Sequence, residues 1–311
     1  MKNFLFKIPF LLALTLLLSS HKPDCVRKQP KFSAFPPGCV WLRDSVFMDA
    51  TEIRNLDYLE FLFWTSRVHP EQLKSILPDT NCWGNSNEDQ MFTLYYLRHP
   101  NYRDYPVVGI SYEQAIAFCT WRTDRVNAFL MIRNKEADWP QVDSMTHYVE
   151  RVHYRLPTKE EWEYAASGGL NSGMYPYGYE NILDKHKIPA SPTKDYADLY
   201  PANQNSLFYY HISADSIRSL IVNDRTFPVK TGKENKFGIL DLIGNVSEII
   251  QDTIVKGYNY LTYLDGTYSG KDGRFEPKYP DSLRQAYYKN DYKYYGPERF
   301  LGFRCVAEVL K

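Results

Sequence analysis

The sequence predicts a domain of the α+β class, in which capped helices and short strands alternate along the chain. Two segments carry complete helix-start signals, because Ser111 is followed by Gln114, and Thr158 by Glu161, at the spacing of a capping box. Short apolar runs between residues 39 and 53 are typical of strands. Helices and strands that alternate along the chain, with no internal repeat and no low-complexity segment, indicate a domain that contains both types of element.

The composition allows one large domain or two small ones and argues against two classes of binding protein. The chain has 311 residues, of which 44% are hydrophobic and 16% aromatic, so there is ample material for a core. Its 37 Lys and Arg balance 37 Asp and Glu, which gives a net charge of +0. A general nucleic-acid or anionic-membrane binder would need a basic excess. The 26 tyrosines suit ligand or protein contact, and equally a loop-rich core.

The N-terminal segment is typical of an exported protein. Residues 1–20 form a signal peptide, whose apolar stretch over 8–18 is too short to span a bilayer. Residues 21–34 are polar, contain Pro and are expected to be a linker. Cys25 is a candidate for lipidation, although Asp24 stands where a small residue is expected before such a cysteine. The sequence leaves open both a free exported protein and a lipoprotein.

The domain begins near residue 35, and its first two strands are expected at 39–42 and 47–53. Asn55 then has the character of a helix cap, and the helix is expected to reach about Trp64. Its inward face would be formed by three apolar residues, Leu56, Leu59 and Phe63.

The most informative stretch is 155–169, RLPTKEEWEYAASGG, which holds the signals of one short helix. Pro157 ends the incoming extended run because it has no N–H to donate, and Thr158 with Glu161 caps the helix start. An apolar stripe recurs at helical spacing, so that one face can be buried. Gly168 can take the left-handed conformation that ends a helix. From these residues alone, a core helix without a catalytic role is the simplest interpretation.

The pattern R-L-P-T-x-x-E-W-E-Y-A-A in this stretch is very similar to the signature of the formylglycine-generating enzyme family, also called sulfatase-modifying factor domains. Further segments resemble the family's motifs in the expected order: 52–58, 106–121, 175–178, 202–203, 236–248, 256–260 and 301–306. The resemblance covers residues 35–308 as one domain. It implies the family's irregular α+β fold, which is related to C-type-lectin-like folds and has little regular secondary structure.

Two segments match nothing in the family pattern and are expected to be insertions. They cover residues 66–104 and 123–150. His69 and His99 fall inside the first and suggest no shared set of metal ligands, so surface positions are expected for both. The charged residues of the second insertion are most simply a solvated face.

The resemblance gives the cysteines a structural role. Cys119 and Cys305 occupy family positions that form a disulfide, and an exported protein can keep such a bond. The family's oxidase holds copper with two cysteines that lie between its last two motifs, and here no cysteine lies between Lys256 and Cys305. Copper(I) requires soft thiolate ligands, so the resemblance implies a variant without the known oxidase chemistry. The related sulfoxide synthases use a histidine-held iron, and the histidines of this chain show no helical ligand spacing.

Family members bind calcium through the loop that here spans Asp241 to Glu248. Carried over by position, these two residues supply carboxylates, and Gly244 and Val246 supply backbone carbonyls. Hard oxygen donors are the ligands that calcium takes. Capping and loop hydrogen bonds without a metal are the alternative interpretation.

A second family calcium site would use Asn203 and the backbone carbonyl of Gln204. Its acidic partner falls at Ile221, which has no carboxylate, and Asp224 is nearby but displaced. The second site is therefore expected to be incomplete in this chain.

The resemblance implies an exported, non-catalytic module that acts as a cell-envelope binding or scaffold protein. The variant G-N-V-S-E at 244–248 is similar to copies found in envelope lipoproteins of bacterial gliding and secretion machinery. The expected location is the periplasm or the outer-membrane surface. Its partners would be other envelope proteins, without nucleic acid and with membrane contact only through an N-terminal lipid. A metal-dependent oxidoreductase, of the formylglycine-generating or non-haem iron type, and a glycan-binding module remain alternatives.

Overall fold

The structure is a computed structural model, and it describes the chain in segments. These are residues 31–32, 34–84, 87–139, 149–169, 207–210, 226–231, 234–242, 244–257, 259, 263–268, 275–277 and 292–310. The expected signal peptide 1–20, the lipidation candidate Cys25 and the second calcium pair, Asn203 and Gln204, lie outside them. Within these segments, no helix is long and apolar enough to cross a membrane. Helices and small sheets occur together, so the fold is α+β.

The first sheet joins the two ends of the domain. It contains β1 (Cys39–Arg43), β2 (Val46–Asp49), β3 (Val152–Arg155) and β11 (Val306–Val309), in the order β1-β2-β11-β3. All its pairs are antiparallel, and the last strand of the chain lies between two earlier ones. The second expected strand is shorter than predicted, because the chain leaves the sheet after β2 and the N–H of Ile53 bonds to the carbonyl of Phe303 instead.

Two further sheets lie in the C-terminal half. One has the order β10-β5-β6-β9 and is formed by β5 (Ser247–Ile250), β6 (Ile254–Lys256), β9 (Tyr292–Lys293) and β10 (Leu301–Gly302). The pair of β10 with β5 is parallel, and the other two pairs are antiparallel. The other sheet has the order β4-β7-β8 and is formed by β4 (Leu207–Tyr210), β7 (Tyr263–Tyr268) and β8 (Phe275–Pro277).

Five helices are described. They are α1 (Asn55–Val68), α2 (Leu73–Ile76), α3 (Asn87–Tyr95), α4 (Tyr112–Arg133) and α5 (Lys159–Ser167). The expected insertion 66–104 is therefore built of the end of α1, then α2 and α3, with short 3-10 turns between them. The capping boxes predicted at Ser111 and at Thr158 are both confirmed.

The inward face of α1 differs from the prediction by one helical position. The cap is Arg54 rather than Asn55, and the buried residues of the helix include Tyr58, Phe61 and Leu62. Phe63 was expected to face inward, but its side chain is 45% exposed. The amide of Asn55 is fully buried, where it donates to two backbone carbonyls of the following turns. The polar residue Asn55 thus helps to fix which face of the helix is buried. The pattern of apolar residues does not reveal this.

The second expected insertion, 123–150, begins within helix α4 and is partly buried. Helix α4 continues through Arg133, and it buries Asn127, Leu130 and Met131. The Asn127 amide group donates to the carbonyl of Val152 at 2.7 Å and accepts its N–H at 3.1 Å. Asn127 therefore satisfies the outer edge of β3, which is why a polar side chain lies in the core.

Aromatic residues of α1 and α4 form the main core together with the C-terminal segment. The rings of Tyr58 and Phe118 are stacked at 5.7 Å, and Phe118 meets Phe303 edge-on at 5.4 Å. Cys119 and Cys305 lie in the same core, with their sulfur atoms 3.5 Å apart. The two residues are thus neighbours, as a disulfide would require, and the bond itself stays a prediction.

Arg304 connects the first two sheets through a fully buried ion pair. Its Nε and Nη2 atoms donate to Glu248 of β5, with the shortest contact at 2.6 Å. Its Nη1 atom donates to the carbonyl of Asp49 at the end of β2, at 3.1 Å. A further bond runs from Nη2 to the carbonyl of Leu240 at 2.9 Å. One side chain therefore holds together both sheets and the loop before β5.

We expect Arg304→Met to lower the free energy of unfolding by about 3–5 kcal/mol, because it leaves the Glu248 carboxylate buried without a cation. Adding Glu248→Met should make the double variant less destabilised than the sum of the two single changes. Urea unfolding of the four proteins measures both quantities.

The matched control is Arg54→Met, which removes an arginine from a pair that is about one-third exposed. Such pairs contribute about 1 kcal/mol or less. An Arg304→Met protein within 1 kcal/mol of the wild type would contradict the central role of this ion pair.

Candidate functional site

The signature helix α5 contacts the Arg304–Glu248 pair through its tryptophan. The Nε1 of Trp162 donates to Oε2 of Glu248 at 2.7 Å, and both side chains are buried. Lys256 lies opposite Glu248 in the β5–β6 pair, and its ammonium donates to Glu163 at 2.8 Å. Adjacent residues of α5 are thus bound to adjacent strands. The helix therefore positions the second sheet.

The start of α5 is anchored by the capping box that the sequence predicts. Glu161 accepts the N–H of Thr158 at 2.8 Å, and it also accepts two bonds from Arg155 at 2.7 Å. Burial raises the pKa of Glu161, but the bonds from Arg155 and Thr158 outweigh it, and the net pKa lies below the usual range. Gly168 ends the helix with a left-handed φ of 59°, as predicted.

The predicted calcium loop, 241–248, is a tight turn with three left-handed residues. They are Asp241, Gly244 and Asn245, with φ of 60°, 86° and 56°. The carboxylate of Asp241 accepts the N–H of Lys230 at 2.9 Å. The amide of Asn245 accepts the N–H of Phe227 at 2.9 Å. Left-handed Asp and Asn are stabilised here by side-chain bonds to the neighbouring backbone.

Glu52 joins this loop from the segment that follows β2. Its Oε1 accepts the side-chain N–H of Asn245 at 3.0 Å, while its buried Oε2 has no hydrogen-bond partner. Burial raises the pKa of Glu52 well above its usual range, and the negative charge of Asp241 raises it further, against the opposing charge of Arg304. A buried carboxylate of this kind is at its most favourable when neutral or when a cation is near.

We use the name Arg304 network for six buried residues of this region: Glu52, Trp162, Asp241, Asn245, Glu248 and Arg304. Three of its members are buried carboxylates, and its guanidinium is the only cation among them. The buried Oε2 of Glu52, which has no hydrogen-bond partner, suits a bound cation. Both oxygens of Glu248 already accept bonds from Arg304, so an ion here would share that carboxylate with the arginine.

Of the predicted loop residues, Asp241, Gly244 and Val246 precede β5, and Glu248 lies in β5. Within the described segments, no three His, Cys, Asp or Glu side chains converge on one point as a metal-binding group. A cation at the loop would therefore depend on backbone carbonyls, as the resemblance implies. Asn203 and Gln204 lie outside the described residues.

Four members of the network were missed from sequence, although each stands in a segment that resembles a family motif. Glu52 opens 52–58, Trp162 stands in the signature, Asn245 lies in 236–248, and Arg304 lies in 301–306. A buried Arg needs an acidic partner. Nothing in the linear sequence indicated which of the acidic residues it would bind.

A second buried polar cluster surrounds Cys39. Its thiol donates to Asp49 at 3.3 Å, and Asp49 also accepts two bonds from Arg122 at 2.7 and 2.8 Å. Burial raises the pKa of the Cys39 and Cys305 thiols, and the negative charge of Asp49 raises both further. Reactive cysteines need the opposite, a lowered pKa with access to solvent. Both thiols therefore have the environment of structural cysteines.

The family model of the sulfatase-modifying factor enzyme 1-like domain matches residues 20–309. An inactive C-alpha-formylglycine-generating enzyme 2 of Bos taurus is 28% identical over 173 residues, covering 53% of this chain and 41% of the relative. The formylglycine-generating enzyme of Mus musculus is 23% identical over 322 residues, covering 86% of this chain and 67% of the relative. A chaperone protein LppX of Paenibacillus barcinonensis is 35% identical over 156 residues, covering 46% and 50%. The chain thus spans less than half the length of the bovine relative.

Among solved structures, CarF has a TM-score of 0.41 at 17% identity and covers 90% of this chain and 95% of its own. PvdO from Pseudomonas aeruginosa has a TM-score of 0.35 at 16% identity and covers 67% and 63%. These scores are low, and the assignment depends on the sequence matches. Because the family model covers nearly the whole chain, this protein belongs to the sulfatase-modifying factor enzyme 1-like family.

Proposed function

We propose that this chain is an exported, non-catalytic member of the family that acts as a binding or scaffold module of the cell envelope. One observation carries the proposal: no cysteine lies between Lys256 and Cys305, where the family's oxidase has its two copper ligands. Oxygen and nitrogen donors do not replace a pair of thiolates for copper(I). The oxidase reaction thus lacks its metal site in this chain.

The environment of the remaining thiols supports the proposal. Cys39, Cys119 and Cys305 are all buried, and the raised pKa of the first and last disfavours the nucleophilic thiolate. The members of the Arg304 network are buried as well, so a soluble substrate has no contact with them. Their contacts serve to hold α5 and the two sheets in place.

The names of two relatives agree with a binding role. One relative is described as inactive, so non-catalytic members of this family exist. Another is described as a chaperone protein, which is a function exercised by binding other proteins. The oxidoreductase and glycan-binding alternatives draw no specific support from the described residues. The proposed location is the periplasm or the outer-membrane surface, reached through the signal peptide 1–20. There the protein is either free or attached by a lipid at Cys25.

The first test concerns catalysis. We expect no formylglycine product when the purified full chain is incubated with a sulfatase-type cysteine peptide and oxygen, with or without copper. A formylglycine-generating enzyme that has its copper cysteines is the positive control. Mass spectrometry of the peptide measures the conversion. A product that disappears on removing copper would contradict the non-catalytic proposal.

The second test concerns binding. The tagged full chain is expressed in its own cells and recovered from detergent-solubilised envelope. We expect one or more envelope proteins to be recovered with it, each in an amount close to that of the tagged chain. Quantitative mass spectrometry against an untagged strain measures this. Recovery of the chain alone, together with localisation in the cytoplasm, would overturn the scaffold proposal.

The Arg304 network adds a proposed structural calcium ion at the 241–248 loop. Asp241 and Glu248 would hold it with the carbonyls of Gly244 and Val246. The ion would supply the positive charge that the three buried carboxylates need and would take no part in a reaction.

We expect calcium to raise the melting temperature of the wild type relative to a chelator. At a hundredfold excess over its dissociation constant, the ion contributes about 2.7 kcal/mol of stability. Asp241→Asn should reduce the calcium-dependent shift while it keeps the bond from Lys230. The matched control is Asp252→Asn, which changes an exposed acidic residue of the β5–β6 turn and should leave the shift unchanged. Equal melting of the wild type in both buffers would show that hydrogen bonds alone hold this loop.

A further inference from the structure

Helix α3 is packed on one side and open on the other. On the inner side, the ring centroids of Phe92 and of the following Tyr96 lie 4.9 and 4.6 Å from that of Trp83. Its outer side carries three large apolar residues, Met91, Leu94 and Tyr95, which are 59%, 64% and 44% exposed. Spacings of three and four residues place these side chains on one helix face. The exposed apolar side is therefore a continuous stripe.

Two basic residues prolong this stripe beyond the end of the helix. The backbone N–H groups of Arg98 and His99 donate to the carbonyl of Tyr95 at 3.1 and 2.8 Å, so both follow by about one turn. The rings of Tyr95 and His99 meet edge-on at 6.2 Å, and the side chains of Arg98 and His99 are exposed. We call Met91, Leu94, Tyr95, Arg98 and His99 the α3 ridge.

Among the described residues, no carboxylate pairs with Arg98. The carboxylates nearest to it in the chain are paired elsewhere, Asp89 with Arg299 at 3.6 Å and Asp104 with Arg54 at 2.9 Å. The ridge thus combines an apolar body with a cation, which complements a surface that is anionic outside and apolar below. A net charge of +0 for the whole chain does not oppose this local match.

The shape of the ridge favours a bilayer over a protein as its partner. A stable protein interface uses roughly 20–30 residues on each side, and the ridge offers five. A convex helix face would also need a matching groove in a protein, whereas a lipid headgroup layer yields to a small protrusion. Tyr and Arg are residues that place an apolar body in the membrane interface and a polar end in water.

We propose that the α3 ridge is a peripheral membrane-contact site, with Met91 and Leu94 in the headgroup–acyl boundary and Arg98 on anionic lipid phosphates. The site goes beyond the proposed function and does not need a lipid on Cys25. It gives the segment 66–104, which matches no family motif, a role in orienting the domain on a membrane surface.

The test is co-sedimentation of the full chain with phosphatidylcholine vesicles, with and without phosphatidylglycerol. We expect tighter binding to the anionic vesicles and weaker binding at high salt. Arg98→Gln should weaken binding about fivefold, because one cation near a charged bilayer contributes about 1 kcal/mol. The double variant Met91→Gln/Leu94→Gln should weaken it roughly tenfold or more, since two apolar side chains leave the interface.

The control is Phe63→Gln, which removes an apolar side chain of α1 that is 45% exposed and should leave binding unchanged. Any attachment through residues 1–20 or through a lipid is common to all variants. Differences in vesicle binding between the variants therefore measure the contribution of the α3 ridge. Equal binding of all variants, or equal binding to both vesicle types, would overturn the proposal. So would a photocrosslinker at position 94 that labels a protein and no lipid in intact cells. The envelope pull-down tests the scaffold role separately, because it reports protein partners.

Discussion

The structure depends on the buried ion pair between Arg304 and Glu248. Burying two charges costs several kcal/mol for each ion, and this cost is offset only when geometry and further hydrogen bonds are favourable. Here Glu248 accepts from Arg304 and Trp162, and Arg304 also donates to the backbone of β2 and of the loop before β5. The pair therefore requires the signature helix, both sheets and the C-terminal segment to be in place together.

The same pair relates the fold to the proposed function. In this family member, the buried polar residues support one another and leave no side chain of the Arg304 network open to a substrate. The buried oxygen of Glu52 that has no hydrogen-bond partner suits a structural cation. What remains accessible is the outer surface, where α3 presents apolar and basic residues that the core does not use. This distribution agrees with the proposed binding role.

Local elements were predictable where a few neighbouring residues decide them. The capping boxes at Ser111 and Thr158 and the helix end at Gly168 depend on residues within one turn, and all three are confirmed. The predictions failed where distant backbone groups decide. Asn55 rotates α1 by bonding to turns more than 40 residues later, which exposes Phe63. No expectation was made for Asn127, which is buried because it satisfies the edge of β3, 25 residues away.

By itself, the sequence determined the family through its ordered motifs, and it determined the lack of the two copper cysteines before Cys305. It also indicated that residues Asp241 to Glu248 form one loop, because this stretch can be matched to the family's loop position by position. Only the tertiary structure decided which partners these residues have. Glu248 and Arg304 are 56 positions apart, and Glu52 and Asn245 are 193 apart. Many acidic residues could neutralise a buried arginine, and the choice among them is made by packing of the whole chain rather than by any local pattern.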